Sequence, residues 1–184
     1  LSDLNTGQSL TGSHVRFPTV AVDGTRALGQ DTAVHFEGAG PRLRARVIDL
    51  RTVSDGETVS YGATWRARGT RRIATLGIGY ADGYRRALSN RGTVLLNGQR
   101  VPVAGIVTMD MTMVDVTNVH CEIGDVATLI GRDGDDVLTI DDVATTAQVL
   151  SYELLVGLKL RVPRVYVNAT SEQGAADPVS ATRR

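Results

Sequence analysis

Lysine is almost absent from this chain. Of its twenty basic residues only Lys159 is a lysine and the rest are arginines, so any chemistry that needs a side-chain primary amine has one candidate. We attribute the arginine excess to biased codon usage and expect no function from it. Cysteine is equally scarce: Cys121 stands alone, which excludes an internal disulfide and a multi-cysteine metal site. His14, His35 and His120 are scattered, and surface or loop positions account for them better than a ligand set. No run of about eighteen apolar residues occurs, and the segment from Leu1 to Leu10 lacks the regions of a signal peptide, which argues against a membrane span and for the cytoplasm. Charge of one sign is missing too. Twenty acidic residues cancel the twenty basic ones, and the arginines alternate with acids rather than forming a stripe, so a nucleic-acid or membrane surface is not expected. The sequence starts at Leu1 rather than Met, from which we expect a trimmed or fragmentary chain.

What remains is an ordinary soluble balance, 42% hydrophobic and 22% charged over 184 residues, enough for one domain with a real core. Residues 1–40 are rich in Gly, Thr and Ser and read as an extension or tether with two extended candidates, His14–Val22 and Thr32–Glu37; Pro18 limits the first to an edge strand. From Arg42 onward the pattern is that of short strands and turns. Strands are expected at Arg42–Thr52, Thr58–Arg66 and Arg71–Ile78, with Ser54-Asp55-Gly56-Glu57 as a turn. Thr93–Leu96 and Arg100–Val107 flank Asn97-Gly98, a strong hairpin signal. Met111–Val116 and Asp125–Ile130 follow, then a turn at Gly131-Arg132-Asp133-Gly134. Thr139-Ile140-Asp141-Asp142 resembles a capping box that opens a helix to about Leu150. Ser151 is placed to cap a second helix through Gly157, and Arg164–Asn168 reads as a last strand. The tail from Ala169 is small and polar and reads as disordered. Many short strands with regular turns predict a mainly β fold, either a closed barrel or a sandwich.

Four segments carry further information: Val59-Ser60-Tyr61-Gly62-Ala63-Thr64-Trp65; Gly77-Ile78-Gly79-Tyr80-Ala81-Asp82-Gly83; Gly105-Ile106-Val107-Thr108-Met109-Asp110; and Ser151-Tyr152-Glu153 with Arg161-Val162-Pro163-Arg164-Val165-Tyr166. In this order they resemble the C-terminal β domain of the alanine racemase family, over about Arg42 to Val167. The resemblance implies residues 41–168 as that domain, a closed Greek-key-type β-barrel of roughly six strands with short C-terminal helices, and 169–184 as a flexible tail. It implies interconversion of L- and D-alanine with pyridoxal phosphate as electron sink, supplying D-alanine for the bacterial cell wall. Racemisation needs two acid/base groups on opposite faces of a planar intermediate. In the family one is the lysine that holds the cofactor, on an N-terminal α/β barrel, and the other is a tyrosine of this β domain contributed by the second subunit of a homodimer.

The position matching that tyrosine is Tyr61. By strand alternation alone, Val59, Tyr61, Ala63 and Trp65 share one face and form a core stripe; the motif reverses that reading, and Gly62 marks a close approach of backbone or ligand. The resemblance also implies that Tyr80 lines the substrate pocket, that the Met109 backbone N–H meets the substrate carboxylate, and that Tyr152 hydrogen-bonds the cofactor phosphate. Met111 and Met113 are expected in the core. Asp82 reads as a turn or cap residue for a short segment Tyr84–Leu88, and Arg85 and Arg86 as candidates for the access path. Related sequences often carry Arg where this chain has Ile106, which affects that path. Arg161 and Arg164 read as domain-interface residues before any phosphate role. Lys159 lies at a helix end, where lysine is a common terminal residue, and matches nothing in the barrel; we do not expect it to hold the cofactor. Taken alone, the chain is expected to be inactive. Two alternatives stand beside this reading: a racemase or decarboxylase domain for another amino acid, and a free-standing β module that binds a partner without catalysis.

Overall fold

A computed structural model describes residues 32–37 and 40–166; the candidate strand at 14–22 and the tail from 169 lie outside them. The first two strands are β1 (Thr32–Glu37) and the fourteen-residue β2 (Gly40–Val53). The length of β2 matters, because its two halves serve different neighbours. Its first half pairs antiparallel with β1 and with β9 (Val126–Asp133), and its second half pairs with β5 (Arg71–Leu76). An irregularity between Val47 and Asp49 separates the halves. A bulge of this kind bends a strand and re-aims its side chains, so Leu43, Ala45 and Val47 point into the core while Ile48 is exposed.

Between β2 and β5 the chain makes two very short strands, β3 (Thr58–Val59) and β4 (Trp65–Arg66), paired to each other. After β5 come β6 (Thr93–Leu96) and β7 (Gln99–Pro102), joined at Asn97-Gly98. Both turn residues have positive φ, 50° and 75°, the conformation that gives an Asn-Gly hairpin its twist. Then follow β8 (Thr112–Asp115), β9, and β10 (Asp136–Leu138), which pairs back on β9. The expected turn from Gly131 belongs instead to the end of β9, and β10 has no counterpart in the sequence reading. Two short helices, α1 (Ile140–Ala147) and α2 (Ser151–Gly157), precede β11 (Arg164–Tyr166), which lies parallel to β1.

The fold is thus mainly β with two short α-helices, and its main sheet is antiparallel apart from β11. Strand ladders do not close that sheet. The path β2-β9-β6-β7 ends at β7, and β2-β5-β8 ends at β8; the gap is spanned by an isolated bridge between Val103 and Val114 and by Ala104 N–H donating to the Met113 carbonyl at 2.9 Å. The large core has Leu43, Leu76, Ile78, Leu95, Leu96 and Leu129 among its fully buried members. A second, smaller core of Val53, Val59, Ala67, Ile73, Ala104 and Met113, with Trp65 against it, lies under the β3-β4 hairpin.

Four expectations need correction here. Thr58–Arg66 is not one strand: the chain leaves extended geometry at Ser60, Gly62 and Ala63, whose φ values are 66°, 70° and 50°. Met111 is exposed (43%), and only Met113 (7%) is core, because β8 begins at Thr112 and Met111 still belongs to the preceding loop. Tyr84–Leu88 makes only a single 3-10 turn at Arg86–Leu88, and Tyr84 is buried in the main core. The Thr139 capping box is present, with its side chain and that of Asp142 bonding each other's backbone. Ser151 does not cap α2; Leu150 occupies the cap position and the Ser151 hydroxyl bonds Asp141 instead.

Candidate active site

The Tyr61 turn is held from below. Val59 pairs with Trp65 across the hairpin, and both pack on the small core. Ser60 Oγ donates to the Ile106 carbonyl at 2.7 Å. Gly105, at φ +86°, lies so close that a Cβ there would stand 2.7 Å from both Ser60 Cβ and the Val59 oxygen. Asn90 ties the far shoulder, donating to Thr64 Oγ1 at 3.0 Å and accepting from Gly105 N–H at 2.7 Å. With the feet fixed and Ser60, Gly62 and Ala63 left-handed, the Tyr61 side chain is turned outward and is 75% exposed. The core-stripe reading is therefore wrong. No backbone of this chain approaches Gly62 closely, since the nearest atom to a Cβ there would be Thr64 Cγ2 at 3.6 Å; its positive φ serves the turn.

The segment that carries Tyr80 docks on the one that carries Met109. Tyr80 N–H donates to the Thr108 carbonyl and Ala81 N–H to the Met109 carbonyl, both at 2.9 Å. Gly79 makes this possible, because any Cβ there would run into the Thr108 and Met109 carbonyls. Met109 is exposed (53%), and its own N–H has no partner among the described residues. Asp82 is buried; its carboxylate accepts from Gly79 N–H at 2.8 Å and from Arg161 Nε at 2.5 Å. The same guanidinium donates through Nη2 to Asp110 at 2.5 Å. These bonds, to Asp82 first, raise the Arg161 pKa further above its ordinary value, so the charge is permanent.

Tyr152 projects from α2, 63% exposed. The helix meets the Tyr80 segment where Gly83 faces the Gly157 carbonyl and where Arg85 Nη2 bonds the Glu153 carbonyl at 2.9 Å and its carboxylate at 3.0 Å. Tyr80, Gly83, Arg85, Arg86, Gly157 and Lys159 line an open depression of about 370 Å³. The Tyr61 and Tyr80 segments thus each bond the segment that carries Met109, and Tyr152 stands on a helix joined to the Tyr80 segment through Arg85. The Asp82–Arg161–Asp110 bridge escapes sequence reasoning: its partners lie 79 and 51 residues apart, and no local signal links them. Cys121 is no nucleophile here, since burial pushes its thiol up to about 11. Among the described residues no helix is long and apolar enough to cross a membrane.

Known proteins match most of the described residues. The alanine racemase of Deinococcus radiodurans is 49% identical over 122 residues, covering 66% of this chain and 34% of its own length. The solved structure of the biosynthetic alanine racemase from Pseudomonas aeruginosa gives a TM-score of 0.65 at 43% identity, over 70% of this chain and 35% of that one. The alanine racemase from Bartonella henselae, solved with covalently bound pyridoxal phosphate, gives 0.66 at 34% identity over the same shares. The chain spans 32–34% of the length of the first curated relatives it matches. The family model "Alanine racemase, C-terminal domain" matches residues 41–166, and the chain belongs to that family.

Proposed function

We propose that residues 41–168 are the C-terminal domain of a two-domain alanine racemase that uses pyridoxal phosphate, and that Tyr61 is its acid/base group, delivered to the active site of the partner subunit in a homodimer. The observation that carries this reading is the Tyr61 turn. Three left-handed residues and two clamps hold a tyrosine hydroxyl out in solvent, where a packed strand would bury it. Strain of that kind belongs to functional sites. In this reading the six strands β2, β9, β6, β7, β8 and β5 act as a barrel closed at the Val103–Val114 bridge, and the setting is the cytoplasm.

The residues of this chain fit one edge of pyridoxal phosphate and not the whole of it. Tyr152 offers an exposed hydroxyl to the phosphate, while the single lysine is exposed and lies beside two arginines in an open depression. When bound, the cofactor supplies the electron sink that makes the substrate Cα proton removable. The Tyr61 oxygen takes that proton on one face, or returns one there, and a lysine of the N-terminal barrel does the same on the other. The Tyr61 hydroxyl has no hydrogen-bond partner among the described residues, so in this reading the groups that prepare it for proton transfer come from the partner subunit. Met109 turns its free N–H to the substrate carboxylate and Tyr80 walls the same end. Separated from its barrel the chain is inactive.

Tyr61→Phe tests the reading, since it keeps the ring and removes only the proton-carrying atom. In the two-domain protein, Cα-proton exchange with deuterated solvent should fall by roughly 10²–10⁴-fold for one enantiomer. Undiminished exchange for both would sink the assignment.

A further inference from the structure

Arg161 sits where three segments meet: the Tyr80 loop, the Met109 loop, and the stretch that leaves α2. Its Nε holds the buried Asp82 carboxylate and its Nη2 holds Asp110, each at 2.5 Å. The neighbouring Lys159 N–H donates to the Asp82 carbonyl at 2.9 Å, so the segment before Arg161 is pinned to the same residue. Asp82 lies two positions after Tyr80, and Asp110 directly follows Met109. The arginine bonds Asp82 and Asp110 rather than Tyr80 or Met109 themselves.

The geometry is more than solubility requires. An exposed ion pair contributes little to stability, and Asp110 is half exposed. A planar guanidinium spanning two carboxylates does something a single pair cannot, because its fork sets their separation and orientation together. Without it the two loops remain joined by Tyr80 N–H to Thr108 and Ala81 N–H to Met109, which constrain their spacing but leave the loop ends at 82 and 110 unlinked.

We propose that Arg161 is a positioning residue: by bridging Asp82 and Asp110 it locks the Tyr80 and Met109 loops in one relative placement and so sets how tightly the carboxylate end of the amino acid is held. The proposal rests on the reading of Tyr80 and Met109 as substrate-facing.

Two measurements on Arg161→Ala and Arg161→Lys test it. In the full chain, native-state hydrogen exchange at the Tyr80 and Ala81 amides should quicken by roughly ten-fold in the alanine variant, while amides of the β6-β7 hairpin keep their rates. Lysine should recover part of the protection, since a point charge satisfies one carboxylate and not the fork. In the two-domain protein, KM for alanine should rise by roughly ten-fold with kcat changed by less than about three-fold, lysine again falling between. Asp110→Asn, at an exposed position, should shift KM the same way by a smaller factor and guards against a folding defect in Arg161→Ala. Unchanged exchange at Tyr80 and Ala81 overturns the proposal, as does an unmoved KM when the parent racemises alanine normally. A parent that does not racemise alanine refutes the functional reading itself and the substrate half of the proposal with it, and is recognised by the absence of turnover before any variant is made.

Discussion

Gly105 and Gly98 share a left-handed backbone, φ +86° and +75°, but not an environment. A methyl group at Gly105 meets Ser60 and Val59 at 2.7 Å, whereas Gly98 has nothing within 4 Å. Alanine at Gly98 therefore bears the backbone penalty alone, about 1 kcal/mol. Alanine at Gly105 adds the cost of pushing back the Tyr61 turn, and overpacking of that kind brings the total to about 3 kcal/mol. Urea unfolding of the two variants measures the difference; equal losses would mean that the turn yields freely. The same contact explains why Tyr61 is misjudged by alternation. Period-two spacing assumes extended backbone throughout, and it fails at Ser60 and Ala63, two non-glycine residues at positive φ, the first of them packed against a loop 45 residues further on. Gly62 is the local sign that the strand breaks, yet a glycine in a strand pattern signals a turn as readily as a close approach.

Elements whose boundaries are written locally are legible. The Asn97-Gly98 hairpin and the Thr139 capping box depend on residues within four positions of each other, and both occur as the sequence predicts. β10 and the end of β9 are not legible, because their pairing spans a turn with no hydrophobic alternation to mark it. The capping box also predicts a response to pH. Asp142 accepts from Thr139 N–H at 2.9 Å and from its hydroxyl at 2.6 Å, and these bonds, the hydroxyl's first, hold its carboxyl below the ordinary Asp value. A carboxylate with a lowered folded pKa stabilises the fold above its unfolded value, about 3.9, and that contribution disappears as pH falls through the folded value. Thr139→Ala is expected to cost about 1 kcal/mol at pH 7 and clearly less at a pH acid enough to protonate Asp142 in both proteins. Unfolding titrations of the pair at the two pH values give the answer; a pH-independent difference would mean that the carboxylate takes no part in the cap.

For the whole molecule, the order of motifs is legible and their assembly is not. Four sequence segments come together only because β2 bends at its bulge, carries β5 and β8 away from β9, and leaves the loops after β5 and before β8 side by side. The assembly leaves Tyr61, Tyr80, Met109 and Tyr152 exposed, the side chains that the proposed function places at the active site. It also leaves Lys159 exposed, at the rim of an open depression with Arg85 and Arg86. A lysine that holds pyridoxal phosphate needs an enclosed site that keeps water from the carbon–nitrogen double bond and grips the phosphate. Here water reaches the amine freely, and Arg85 is already engaged by Glu153, which leaves Arg86 as the remaining cation of the depression to meet a phosphate. Incubation of the isolated chain with micromolar pyridoxal phosphate, followed by borohydride and mass spectrometry, is therefore expected to give only a small fraction of labelled chain. One adduct per chain at Lys159 would make this domain a cofactor site in its own right, and would remove the reason for assigning that lysine to another domain.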